Sequence, residues 1–183
     1  MRRLILAAAA IGVTTLAIGI ATHRAPASAA APATPACDGF DFPVGPPDAT
    51  GYYDAQPFGK NDHLGNDWNG SRGSNTDLGD AVHAASSGIV VEAQDQGEGW
   101  GNVIRIIHGC GIESLYAHLD TIEVAVGTAV PRGGRIGTIG TAGGQYLAHL
   151  HFELRERLLP LGGGYATDRT GYLDPTAYIR SHR

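Results

Sequence analysis

Two histidines stand two apart in the pentapeptide His149-Leu150-His151-Phe152-Glu153. Residues of a strand alternate faces, so an extended chain puts both imidazoles on one face and turns Leu150 and Phe152 to a core on the other. Such a face can hold a metal ion and a proton carrier side by side. In His63-Leu64-Gly65-Asn66-Asp67 an imidazole and a carboxylate stand four apart. They can meet one ion from a turn, with Gly65 supplying backbone freedom. Tyr116-Ala117-His118-Leu119 adds a histidine at the end of an apolar run. Each constellation alone has an ordinary reading: a solvent-facing strand, a polar turn, a structural histidine. Together they supply four histidines and one aspartate, and no other part of the chain offers a competing set. Three protein ligands with an open position is the architecture of a catalytic zinc, and a mixed His/Asp set suits zinc better than magnesium or calcium. Spacing does not say which member of the His149/His151 pair is the ligand. Glu153 shares the face of His151, where it either supports a ligand from behind or faces solvent. His83 and His108 have no motif around them and read as surface or packing residues.

The elements that must position these groups are strands. Val82 to Glu92 reads as strand broken at Ser86-Ser87-Gly88, Val103 to Ile107 as a strand, and Ile112 to His118 as its hairpin partner. Trp100-Gly101-Asn102 is a turn. Ile122 to Val130 alternates as a further strand, and Arg135 to Gly140 is a short one before the histidine pentapeptide. Many short strands with glycine turns predict an all-β fold, a small antiparallel sandwich or barrel-like sheet. The one helix expected is a turn or two at Asp174-Pro175-Thr176-Ala177-Tyr178-Ile179, with Asp174 as N-cap and Pro175 at the first helical position. Gly162-Gly163-Gly164 reads as a mobile loop.

The chain opens Met1-Arg2-Arg3, runs apolar from Leu4 to Ala21, and reaches Ala27-Ser28-Ala29-Ala30. A basic start, an apolar run and a small-residue site describe a secretory signal peptide over residues 1–29, the alternative being an uncleaved signal anchor. No later segment is apolar and long enough to span a membrane. Residues 30–39 read as an Ala/Pro-rich tether and 40–183 as one folded domain. Beyond residue 29 the chain holds 10 basic and 18 acidic residues. That balance argues against nucleic acid, which is gripped with clustered Lys and Arg. In a secreted chain the two cysteines, Cys37 and Cys110, read as a disulfide, which leaves none for a closed structural zinc site.

The three motifs, in this order, resemble the signatures of the lysostaphin-type, LytM-like zinc metallopeptidases. The resemblance covers roughly Phe58 to Ile179 and includes the glycine-punctuated run Val126 to Gly140. It implies a small antiparallel β-fold with an open groove and a secreted or wall-associated (periplasmic, in a double-membrane bacterium) monomeric enzyme. The implied activity is cleavage of peptide bonds in peptidoglycan peptides, in stem or cross-bridge. It implies that His63, Asp67 and His151 bind one zinc ion, with His149 a catalytic histidine and His118 its partner. Which of the two is base and which stabilises the oxyanion stays open. A non-catalytic wall-binding or hydrolase-activating domain on the same scaffold is the alternative. Two departures stand out: Leu147-Ala148 occupies the place where the family often has Gly-Pro, and Asn69 to Asp80 is longer than the usual link.

Overall fold

A computed structural model describes residues 33–183 except 98 and 157. The expected leader and the first residues of the tether lie outside the described residues. Ten strands follow in chain order: β1 (Tyr52–Gln56), β2 (Asn66–Gly70), β3 (Ala81–His83), β4 (Gly88–Asp95), β5 (Asn102–His108), β6 (Glu113–Ile122), β7 (Ala129–Val130), β8 (Arg135–Ile139), β9 (Leu150–Arg155) and β10 (Tyr172–Leu173). One helix closes the order, α1 (Pro175–Ser181). All pairings are antiparallel. The hydrogen-bonded path runs β1-β2-β9-β6-β5-β4-β7, with β10 on β9 and with β8 bridging β3 and β6. The sheet is open and does not close into a barrel, so the path ends on β1 and β7.

The core follows from strand alternation. Ile104 and Ile106 of β5, Tyr116 of β6, and Leu150, Phe152 and Leu154 of β9 point to one face and join Phe40, Phe42 and Trp68, all buried. Each such side chain contributes about 1.5–3 kcal/mol by leaving water. The opposite face carries Val103, Leu115 and Ala117, with Trp100 and Leu161 packed on them. On this face the three strands also set Arg105, Glu113, Glu153 and Arg155, each 7 % exposed or less. α1 starts as its sequence predicts: the Asp174 carboxylate accepts from the Ala177 N–H, and Pro175 takes the first turn. Cys37 and Cys110 form a disulfide. The Asp38 carboxylate, beside it, accepts from the hydroxyls of Ser86 and Ser87.

Three expectations are corrected. Ile122 to Val130 is not one strand: β6 ends at Ile122, the chain turns through Gly127 at φ 86°, and only Ala129–Val130 pairs again. The alternation there reflects one edge packing against β4, through the Gly127 N–H to the Val90 carbonyl, and no continuous ladder. His118 does not end a strand; β6 continues four residues beyond it. Asp67 lies on a strand, β2, and only His63 lies in the turn.

His108 is a packing residue, buried against Phe40 with ring centres 5.3 Å apart. Its Nδ1–H donates to the Ser87 carbonyl at 3.0 Å, and Nε2 lies 2.8 Å from the Ser114 hydroxyl. Burial pushes the imidazole down to about 4, outweighing the Ser87 carbonyl that favours the charged form. Above pH ~6.5 neither the folded nor the unfolded chain protonates it, and no pH effect arises. Between pH ~6.5 and ~4 the unfolded chain takes up a proton that the folded chain refuses, so stability falls as pH falls, by up to about 3 kcal/mol from this residue. Denaturant unfolding at pH 7 and pH 4.5 checks this: wild type loses more stability over that interval than His108→Gln.

Candidate functional site

β2 and β9 pair so that Asp67 stands opposite His151. His63 comes from the turn after a single 3₁₀ turn, Lys60–Asp62, and its backbone bridges to Tyr165. Gly65, between them, does not serve through a positive φ. Its role is absence of a side chain: a Cβ there would lie 2.4 Å from the Phe152 carbonyl oxygen and 2.9 Å from Glu153 Cγ. Any other residue would push β2 away from β9 and pull Asp67 from His151.

The three groups converge on one point. His63 Nε2 is 3.0 Å from His151 Nδ1, which is 3.0 Å from Asp67 Oδ1, and the third edge, His63 Nε2 to Asp67 Oδ1, is 3.3 Å. Among the described residues this is the one set of three His, Cys, Asp or Glu side chains whose ligand atoms gather so closely. The outer nitrogens fix which inner atoms are bare. His63 Nδ1–H donates to the Gln56 carbonyl at 2.9 Å, and His151 Nε2–H donates to Glu153 Oε1 at 2.9 Å. Two imidazole lone pairs and a carboxylate oxygen therefore face one another, an arrangement that calls for a positive charge between them. Tetrahedral zinc at about 2.0–2.1 Å from its ligands sets them about 3.3 Å apart. The donor set fits that ion in identity and in spacing.

The electrostatics agree. When protons rather than an ion occupy that point, burial would raise the Asp67 carboxyl, but hydrogen bonds from the then protonated inner nitrogens of His151 and His63 and their charge hold it well below the usual range. Burial would lower His151, yet Asp67 and Glu153 on either side raise it to about 9. A proton and a metal ion compete for the same attractive point. Glu153 is fully buried, and Arg155 grips its Oε2 through Nε at 2.7 Å and Nη2 at 2.6 Å. Against its own burial, His151 and Arg155 hold the carboxyl below the usual range. Of the two roles open to Glu153 from sequence, solvent-facing is excluded.

His149 and His118 line the same groove, a cavity of about 470 Å³. His149 Nε2 is 3.8 Å from Asp67 Oδ1, and its Nδ1–H donates to the Leu147 carbonyl at 2.8 Å. His118 sits on a bulge in β6, where Ala117 pairs with His151 and Leu119 with Ile139. Its φ is 62°, a left-handed backbone that costs a residue of this size about 1–3 kcal/mol and that gathers at functional sites. Its ring centre is 4.7 Å from that of His149 and 5.5 Å from that of His151. Burial, and then the neighbouring His151 and His149, push it down to about 3 against the Trp100 carbonyl, to which Nδ1–H donates at 3.2 Å.

Sequence reasoning missed the groove walls. Trp100, Tyr146 and Tyr165 line the cavity with Gln56. The Gly-Trp-Gly turn at 99–101 was the one available signal, since a large aromatic in a glycine turn has little core to reach. The stretch expected to be a mobile loop is tied down: the Gly162 carbonyl accepts from Trp100 Nε1–H at 3.0 Å, and the Gly164 carbonyl from the Leu64 N–H at 2.9 Å. It covers the face that alternation left open. His83 and His108 lie outside the cavity lining. Because Glu153 sets both the orientation and the basicity of His151, Glu153→Gln is expected to weaken metal binding by about 10–100-fold while the chain stays folded. Competition with a chelator of known affinity measures it; an unchanged affinity would reduce Glu153 to packing.

Comparison with known proteins bears on the same residues. Over half of the chain, residues 61–166, matches the family described as Peptidase family M23. A stretch of 78 residues is 40% identical to the DD-carboxypeptidase/endopeptidase Mpg of Neisseria gonorrhoeae, covering 42% of this chain and 17% of that one. Over 79 residues it is 38% identical to the murein hydrolase activator EnvC of Escherichia coli, covering 43% and 19%. The chain thus spans less than a fifth of the length of either relative. The catalytic domain of the antimicrobial peptidase lysostaphin from Staphylococcus simulans superposes with a TM-score of 0.51 at 28% identity, covering 78% of this chain and 89% of that one. The chain belongs to peptidase family M23.

Proposed function

We propose that this chain is a zinc-dependent endopeptidase that hydrolyses peptide bonds in bacterial peptidoglycan. The observation that carries the reading is the triangle of His63 Nε2, Asp67 Oδ1 and His151 Nδ1, with two further imidazoles in the same groove. His63, Asp67 and His151 would hold the ion. At such a centre zinc supplies Lewis-acid polarisation of a carbonyl and makes water acidic near neutral pH. The chain's own residues handle the protons. Nδ1–H of both His118 and His149 is spent on a backbone carbonyl, so each neutral ring offers Nε2 to the groove as an acceptor. Together they take up the proton of the attacking water and return it to the leaving amine. His118 becomes a hydrogen-bond donor to an oxyanion only once it carries that second proton. Trp100, Tyr146 and Tyr165 bound the groove and would seat an extended peptide.

We further propose that the protein works outside the cytoplasm. The Cys37–Cys110 disulfide supports this, because such bonds persist in oxidising compartments. Among the described residues no helix is long and apolar enough to cross a membrane.

Likeness to EnvC keeps a second reading in view, a hydrolase-activating domain without turnover of its own. The presence of every ligand and both groove histidines supports hydrolysis, since an activator needs none of them. Purified protein is expected to hold one zinc per chain and to release peptides from peptidoglycan. Chelation should abolish that activity and added zinc restore it. His149→Ala should keep the zinc and lose about 10²–10⁴-fold in turnover, whereas His63→Ala should lose zinc and turnover together. Metal analysis beside a product assay decides between the readings: full activity in metal-free protein, or zinc without activity in wild type, would overturn this one.

A further inference from the structure

Among the described residues the His149 imidazole makes its side-chain hydrogen bond to a single peptide unit. Its Nδ1–H donates to the carbonyl of Leu147, and that carbonyl belongs to the same plane as the Ala148 N–H. The peptide is trans, so its two polar ends point opposite ways. One end holds the imidazole. The other end, the Ala148 N–H, points at Asn75 and donates to its Oδ1 at 2.8 Å. Ala148 is fully buried, whereas Leu147 is 62% exposed, so no packing on Leu147 keeps this plane from turning. A buried N–H needs a partner, and Asn75 supplies it.

The carbonyl of Ala148 is held from the same side, accepting from Asn69 Nδ2 at 3.3 Å. Asn75 sits in the link between β2 and β3, residues 71–80, within the stretch Asn69 to Asp80 that the sequence marked as long. The link is braced to present it. Asp77 Oδ2 accepts from the Gly70 N–H at 2.8 Å, the Thr76 hydroxyl donates to the Gly73 carbonyl at 2.7 Å, and the Gly79 N–H donates to the Ile139 carbonyl at 2.9 Å. Ser74, next to Asn75, adopts φ 52°, a left-handed backbone rare outside glycine. The link and Ala148 thus meet in one contact. An N–H at 148 creates a demand for an acceptor, and the link delivers one.

We propose that Asn75 is a positioning residue for His149: it locks the Leu147–Ala148 peptide plane so that the Leu147 carbonyl keeps Nδ1–H and leaves Nε2 bare toward the groove. The proposal rests on the reading of His149 as a proton carrier only for its effect on rate; the effect on the imidazole stands apart from it. Without Asn75 the plane turns, the Leu147 carbonyl leaves Nδ1, and the proton of the neutral ring is free to move to Nε2.

The test uses the full chain with its metal, ¹⁵N-labelled at histidine. In wild type the ring nitrogens of His149 are expected to report the Nδ1–H tautomer at neutral pH. In Asn75→Ala that tautomer gives way to a mixture, and Asn75→Asp, which keeps an acceptor oxygen in place, restores it. With a soluble peptidoglycan peptide, Asn75→Ala is expected to lower kcat by about 10–100-fold with KM and zinc content unchanged, and Asn75→Asp to recover most of it. An unchanged His149 tautomer in Asn75→Ala overturns the proposal, whatever the rate does. Equal loss in Asn75→Asp also overturns it, because the loop and not the hydrogen bond would then be responsible. Should wild type hydrolyse nothing, the proposed hydrolase fails while the tautomer measurement still decides the positioning role.

Discussion

The candidate site depends on one cross-strand pair, Asp67 of β2 opposite His151 of β9. Directly opposed residues in an antiparallel pair have Cα atoms about 4.5–5.5 Å apart, close enough for a carboxylate and an imidazole to share one point. A slip of one residue would send either side chain to the other face. Register is therefore the quantity that the surrounding sequence must protect. Gly65 lets the strands approach at Phe152. Trp68, Leu150 and Phe152 anchor both strands in the core from the far face. The same packing that stabilises the sheet thus sets the distance between the first two candidate ligands.

Behind His151 the polar face of β9 continues as Glu153 and Arg155, opposed on β6 by Leu115 and Glu113. Arg155 lies between Glu153 and Glu113, and Arg105 between Glu113 and Glu92. Buried charges are costly unless each finds a partner, and here carboxylates and guanidiniums alternate. The ladder also receives the covering segment: the Leu159 N–H donates to Glu113 at 3.2 Å and its carbonyl accepts from Arg105. One row of side chains thus orients His151 and fastens the strip that closes over it. That strip in turn carries Gly164 and Tyr165 to the turn holding His63. Removing charge from the row would loosen the roof and the ligand together.

The sequence made the donors legible because they are side chains at short, regular spacings. Alternation put His149 and His151 on one face and Leu150 and Phe152 on the other, and β9 keeps that order. The antiparallel all-β fold and the capped C-terminal helix were legible for the same reason, since both rest on local pattern. The open face was misread because its cover, residues 158–165, is glycine-rich irregular chain held by backbone bonds that leave no pattern. Gln56 was invisible for a like reason: its contribution to His63 is a carbonyl that any residue would supply. The bulge at His118 escaped because a strand-forming run such as Ser114-Leu115-Tyr116-Ala117 gives no notice that the next residue turns to φ 62°. Local chemistry shows in a sequence, whereas strand-to-strand geometry shows only where a glycine or proline is forced.

The four histidines of the site divide by what their second nitrogen touches. His63 and His151 are 0 % and 3 % exposed. They are backed by the β1 backbone and by a carboxylate that is itself locked by arginine. Such rings have no freedom to turn, which suits groups that must converge on one point. His118 and His149 are backed by carbonyls of the groove-lining turns, at Trp100 and Leu147, and they stand on a bulge and at a strand entrance. Their partners are backbone groups at places where the sheet is interrupted, so these rings keep a bare nitrogen toward the groove and a protonated one away from it. The same residue type thus takes two kinds of position in one site. Rings backed by the sheet are fixed toward the point where His63, Asp67 and His151 converge, and rings backed by turns leave Nε2 bare toward the groove. The division follows from the backbone beneath each ring, and it is the reason that a distant contact such as Asn75 with Ala148 bears on His149 and not on His63 or His151.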